Sequence, residues 1–184
     1  MKQLLVFLLL TFLIQPLSAQ KYITKTGYIG FYSHTIVEDI KAENNQVAGI
    51  LDIATGEVVF MVLIKSFRFK KALMQEHFNE NYLESDKYPR STLTGKIKDY
   101  SGVDPGKNGK HEVTVEGDLD LHGVTKKITA DGIIEVADGK IIASSKFNIA
   151  PEDYNIKIPN VVRDNIARTI EVTVGMNYDP PQNK

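Results

Sequence analysis

The stretch Glu112 to Ile128, EVTVEGDLDLHGVTKKI, constrains this chain more than any other. Val113, Val115, Leu119 and Leu121 share one parity, and Glu112, Thr114, Glu116, Asp118 and Asp120 share the other. That period of two describes a strand with one dry face and one charged face. Gly117 interrupts the apolar parity, where a missing Cβ marks a bend, a bulge or the close approach of something bulky. Gly123 can take φ > 0 and turn the chain before Val124, Ile128 and Ala130 resume the buried parity, so the stretch predicts a hairpin. A closed wall of such hairpins has an apolar inside, which either packs solid or holds an apolar guest.

Lys2, an apolar run from Leu4 to Ile14, then Pro16, Ser18 and Ala19 have the layout of a secretory signal peptide over residues 1–19, with cleavage after Ala19. The apolar run of eleven residues is too short to span a bilayer of about 30 Å as a helix. Without cysteine there is neither a disulfide nor a lipid-acceptor residue at the cleavage site, so the expectation is a periplasmic or secreted protein with no permanent membrane anchor. Residues 20–178 suit one domain, and Asp179 to Lys184, with Pro180-Pro181, reads as a disordered tail. Removing the leader takes away one lysine and leaves a net charge of −2, which gives no electrostatic case for nucleic acid.

Tyr22 to His34 reads as a first strand or a bent pair broken by Gly27 and Gly30, Val37 to Asn45 as a polar connection, and Gln46 to Ala54 as a strand joined through Thr55-Gly56 to Glu57–Ser66. Val58 to Ile64 is apolar on both parities, which calls for a cover on its outer face. The expected cover is a helix over Lys70 to Asn81, where Met74, Phe78 and Tyr82 recur at i, i+4 and i+8 with Leu73 and His77 alongside. Thr92 to Lys98 is a short strand and Ser101 to Lys110 a mobile loop. Asp138-Gly139 turns the chain into Lys140–Ala150, Pro151 to Asn165 is irregular, and Ile166 to Tyr178 alternates as a long final strand. The fold class is therefore all-β: a single eight-stranded antiparallel, up-and-down barrel of lipocalin type with one short covering helix.

Several pieces in this order carry a resemblance. They are Gly27 to His34, Ser66-Phe67-Arg68-Phe69 leading into Met74 to Pro89, Gly117-Asp118-Leu119 with Leu121-His122-Gly123-Val124-Thr125-Lys126, and Phe147-Asn148-Ile149 with Asp153-Tyr154. Together they resemble the YceI-like proteins, periplasmic barrels associated with polyisoprenoid binding. The resemblance implies a long apolar tunnel that takes an isoprenoid or similar long-chain lipid, of polyprenyl or isoprenoid-quinone type, with its head group near a barrel mouth. It implies no cofactor beyond that lipid.

The apolar lining expected for such a tunnel is Phe60, Val62, Ile64, Met74, Phe78, Val115, Leu119, Phe147, Ile149, Val172 and Val174, each of which is equally suited to ordinary core. Met74 and Phe78 suit a lid, since a helix over an open barrel end can move and methionine adapts to irregular guests. Arg168 breaks an otherwise apolar parity and is the first candidate for a head-group contact, followed by Arg90 and Arg163, with a salt bridge to Asp153 or Asp164 as the alternative. His34 could present a donor at the mouth or simply sit exposed at a strand end. His122 with Gly123 reads as a structural bend fastened by a ring nitrogen.

His77 and Glu80 lie three apart on the helix, but no catalytic or metal-binding signature accompanies them, and Glu76, Glu80 and Glu84 suit a solvated face. There is no Gly-x-Ser-x-Gly elbow and no cysteine nucleophile, so neither catalytic nor metal residues are assigned. The expected function is a passive lipid carrier or sequestering protein. The alternatives are a filled-core interaction protein of the envelope and a hydrolase-type enzyme on the same barrel. A barrel that failed to close would pair through its edges into a homodimer.

Overall fold

The computed structural model describes residues 21–180; the expected signal peptide and the last four residues of the expected tail, 181–184, lie outside the described residues. Eight long strands close into an antiparallel barrel: β1 (Lys21–His34), β2 (Asp39–Asp52), β3 (Glu57–Leu63), β5 (Arg90–Ile97), β6 (Gly109–Leu121), β7 (Val124–Ala137), β8 (Lys140–Ile149) and β9 (Ile170–Tyr178). Each pairs with its neighbour in the chain, β9 returns to β1, and the pairing of β1 with β2 completes the ring. A two-residue strand, β4 (Arg68–Phe69), adds to β2 beyond β3. Alternation explains the wall: Val113, Val115, Leu119 and Leu121 of β6 turn inward, and their charged neighbours turn out.

Glycines sit where backbones crowd. Gly95 and Gly117 face each other across β5 and β6, and a Cβ on Gly117 would lie 2.8 Å from the Gly95 Cα. His122 (φ 53°) and Gly123 (φ 73°) form a two-residue turn of the kind that matches strand twist, which joins β6 to β7. β7 and β8 pair only over Gly132–Ala137, and beyond Ser145 the two strands part. The chain between β8 and β9 folds back towards that gap, with Tyr154 and Ile156 buried against Leu119, Leu121, Leu83 and Ile64.

Four expectations need correction. Most of Val37–Asn45 is strand, because β2 starts at Asp39 and points Ile40, Ala42 and Asn44 inward; only the tip around Thr35–Glu38 is loop. The helix is shorter than expected, α1 (Ala72–His77), and it continues through a wider π turn, Phe78–Tyr82. It caps the barrel end, so the outer face of β3 is left uncovered, with Val59 and Leu63 exposed; Leu73 faces solvent too. The final strand starts at Ile170, so Arg168 lies in the preceding bend, exposed to solvent. Within Pro151–Asn165 two 3-10 turns form, Pro151–Tyr154 and Asn160–Asn165.

Candidate functional site

The connections at one end of the barrel close it. Tyr100 donates its hydroxyl to the Ile53 carbonyl (2.7 Å) and accepts from the Val103 amide (3.1 Å), which ties the β2–β3 turn to the β5–β6 loop. At the other end lie the β1–β2 tip, α1, the His122-Gly123 turn and the β8–β9 connection, and beneath them is a cavity of about 290 Å³. Its walls are apolar: Ile29, Phe31, Val62, Leu119, Phe147 and Val172 from the strands, with Met74, Phe78 and Ile158 from the covering segments. A second apolar cavity of about 110 Å³ lies deeper, bounded by Phe60, Val115, Val174, Met176 and Tyr178. Ile29, Val62, Ser91, Leu119 and Phe147 border both, so these five residues stand between the two spaces. Ser91 adds no free polarity there, because its hydroxyl donates to the Asp120 carbonyl (2.6 Å).

Four phenylalanines hold α1 over the mouth. Phe78 stacks on Phe31 at 5.5 Å and meets Phe69 at 5.0 Å and Phe67 at 5.5 Å, contacts of the tilted and offset kinds aromatic rings favour. A polar clip adds to them. Glu38, at the β1–β2 tip, accepts from Lys71 Nζ (2.8 Å) just before α1 and from Asn165 Nδ2 (3.3 Å) of the β8–β9 connection. The Lys71 and Asn165 hydrogen bonds hold the Glu38 carboxyl below its ordinary range. On the far side, His122 is hydrogen-bonded through Nδ1 to the Tyr154 carbonyl (3.0 Å) and through Nε2 to Glu84 (2.9 Å), which pins the end of the helical segment to the wall.

All eleven residues expected to line a tunnel border one cavity or the other. Ile64, Met74, Phe78, Ile149 and Val172 border the upper one, Phe60, Val115 and Val174 the lower, and Val62, Leu119 and Phe147 both. The expected polar candidates are dispersed. His34 accompanies Tyr32 on the outside of the barrel, with Asp39 Oδ1 2.6 Å from its ring. Arg90 opens β5 and is exposed; it and Arg168 border neither cavity and form no ion pair among the described residues. Asp153 pairs with Lys126 instead of Arg168.

Sequence reasoning missed Ile156, Ile158, Val162 and Ile166 in the lining, and it missed the Glu38–Lys71–Asn165 clip. The Ile-x-Ile spacing at 156–158 was the available signal for the first. The clip joins residues 127 positions apart and leaves no local trace. Among the described residues no three His, Asp or Glu side chains converge as a metal site would require, and no helix is long and apolar enough to cross a membrane.

Solved structures share this architecture. A polyisoprenoid binding domain from Saccharophagus degradans, implicated in plant cell wall breakdown, superposes with a TM-score of 0.73 at 18% identity, over 89% of this chain and 99% of that one. Burkholderia cenocepacia BcnA follows at 0.68 and 12% identity, covering 82% of this chain and 95% of its own. A Campylobacter jejuni YCEI protein matches at 0.63 and 20% identity, covering 81% and 90%. At these identities the likeness is one of fold. No curated protein matches the sequence. The YceI-like domain matches residues 21–178, essentially the whole barrel, and the chain belongs to the YceI-like domain family.

Proposed function

We propose that this protein holds an isoprenoid or comparable long-chain lipid in the barrel, acting in the periplasm or outside the cell as a carrier or sequestering protein. The observation that carries the reading is the pair of apolar cavities, one above the other, that share Ile29, Val62, Leu119 and Phe147 in their lining. A space of that form suits a narrow flexible tail, and about 290 Å³ at the mouth falls near the lower end of ligand pockets. Each buried methylene stabilises the complex by about 0.8 kcal/mol, so a long chain supplies most of the affinity with little discrimination among tails. The polyisoprenoid-binding domain that shares the fold supports the ligand class.

On this reading the chain does no covalent chemistry. Phe78 and Met74 close over the bound tail, and the polar groups bordering the mouth, His77, Glu38 and Asn165, are placed to set the direction of the head group. Native mass spectrometry followed by organic extraction of the protein lacking residues 1–19, purified from a bacterial envelope, tests this. A stoichiometric adduct that extracts as a polyprenyl or other long-chain lipid is expected. A clean apo mass, with no uptake of added isoprenoid quinone or polyprenyl phosphate, would leave a filled-core interaction protein.

A further inference from the structure

Of the ten large apolar side chains exposed among the described residues, the four most exposed stand at the mouth. Ile36 and Val161 are 102% and 91% exposed, and Val37 and Leu73 are more than half exposed. Three of the four stand beside a residue that borders the mouth cavity, Val37 next to Glu38, Leu73 next to Met74 and Val161 next to Val162, and Ile36 adjoins Val37. The three segments that carry them meet at one clip, since Glu38 bonds both Lys71 and Asn165. The β1–β2 tip is built to hold its pair outward. Thr35 Oγ1 accepts from the amides of Val37 (3.2 Å) and Glu38 (3.0 Å), and its own amide donates to the Glu38 carbonyl (3.1 Å). Single exposed aliphatics need no explanation, but four around one opening do.

The same sector is basic. Residues 33–41, 68–78 and 160–170 hold six Lys or Arg against four Asp or Glu, whereas the rest of the chain holds 16 against 19. Glu38 and Lys71 pair with each other, which leaves five Lys or Arg against three Asp or Glu, and of those three Asp39 is bonded to His34. The exposed Lys70, Arg163 and Arg168 form no ion pair among the described residues. The outer row Ile23, Ile50 and Val59 lies on the wall of β1, β2 and β3, outside the three segments that meet at the Glu38 clip.

We infer that this sector of the mouth is a membrane-docking surface that seats Ile36, Val37, Leu73 and Val161 in the interface of a bilayer carrying anionic phospholipid. Apolar insertion and basic attraction are the two signals that together give reversible peripheral binding. Docking in this orientation would let a lipid tail pass between bilayer and cavity without crossing water. In that purpose the inference rests on the lipid-binding reading, although docking itself needs no occupied cavity.

Flotation of the protein lacking residues 1–19 with phosphatidylglycerol-containing vesicles, and with pure phosphatidylcholine vesicles, tests the inference. The wild type is expected to partition at least fivefold more strongly onto the anionic vesicles. The double variant Ile36→Ser, Val161→Ser should lose at least tenfold of that binding with an unchanged unfolding midpoint, and Ile23→Asp on the outer wall should bind as the wild type. No flotation of the wild type on either vesicle would overturn the inference, as would a double variant that floats normally. So would self-association of the wild type, abolished in the double variant, without vesicle binding. Vesicle binding by a protein that never extracts with a lipid would sink the carrier reading and leave the docking surface standing.

Discussion

Around the base of the barrel, Ile141, Met176 and Tyr178 are 0–1% exposed, and a Cβ on Gly49 would come within 2.3 Å of the Met176 methyl. Around the mouth, Met74, Phe78, Ile158 and Val162 are half-buried, and about 290 Å³ stays open beneath them. The base is joined by strand pairing and by the two hydrogen bonds of Tyr100; the mouth is joined by side chains from segments far apart in sequence. Close packing, relieved at the base only by the smaller space of about 110 Å³ beside Met176 and Tyr178, resists a change of volume, while an end with few buried contacts opens at lower cost. The contrast teaches that this barrel places its stability at one end and its adaptability at the other.

The largest effects should come from exchanging those properties. Phe78→Asp puts a charge among Phe31, Phe67 and Phe69 and should abolish lipid retention, with the barrel still folded, because α1 can swing outward. Extraction after purification reads this, and unchanged retention would remove the lid from the account. Ile141→Ala empties a fully buried site at the base and should cost about 2–5 kcal/mol in denaturant unfolding, while lipid bound per folded molecule stays constant. If both variants damage stability and retention alike, the two ends are one cooperative unit and the comparison fails.

The strands and their tight turns were the more legible part. Alternation in Val113–Leu121 and in Ile166–Tyr178, with the turn signals Thr55-Gly56, His122-Gly123 and Asp138-Gly139, predicts paired strands whose apolar parity must face inward; each turn lies where its residues place it, and the last strand forms from Ile170 onward. Alternation also selected lining residues, because a hollow barrel and a filled one need the same inward parity. It could not reveal the space between them. Asn44 shows where pattern reading stops: a polar residue in a weakly apolar run reads as loop, yet it is buried in β2. There its amide donates to the Leu63 carbonyl (3.1 Å) and its oxygen accepts from the Gln46 amide (2.8 Å) at a bulge. The β8–β9 connection was hidden for a related reason. Its order comes from packing Tyr154 and Ile156 into a gap that exists only after β7 and β8 part.

Acid should then separate the ends by a smaller margin. The Glu38 carboxyl is held below its ordinary range, chiefly by Lys71 and then Asn165, so the folded protein favours the carboxylate. Its contribution is complete above the unfolded value of about 4.3 and is lost as pH falls through the lowered folded value. Hydrogen exchange corrected for intrinsic rates should show the α1 amides losing protection below about pH 4, with amides of β8 and β9 unaffected. Glu38→Gln should remove that dependence on pH. Protection of α1 that persists in acid would assign the closure of the mouth to the phenylalanines alone.

The smallest effect probes the base itself. Tyr178 borders the deep cavity, it is 1% exposed, and its hydroxyl has no hydrogen-bond partner among the described residues. Burial pushes the phenol above its ordinary value, so the fold favours the neutral form. Stability from this group is therefore full below the unfolded value of about 10 and lost as pH rises through the folded one. Tyr178→Phe should leave stability at neutral pH unchanged or raise it by up to about 1 kcal/mol, since a hydroxyl without a partner gives up only its desolvation cost. The variant should also unfold less readily in alkali than the wild type. A loss of about 1 kcal/mol or more at neutral pH would mean that the hydroxyl is satisfied in solution by water or by the end of a bound molecule. The base would then belong to the binding surface as much as the mouth does, and the division between a stable end and an adaptable one would no longer hold.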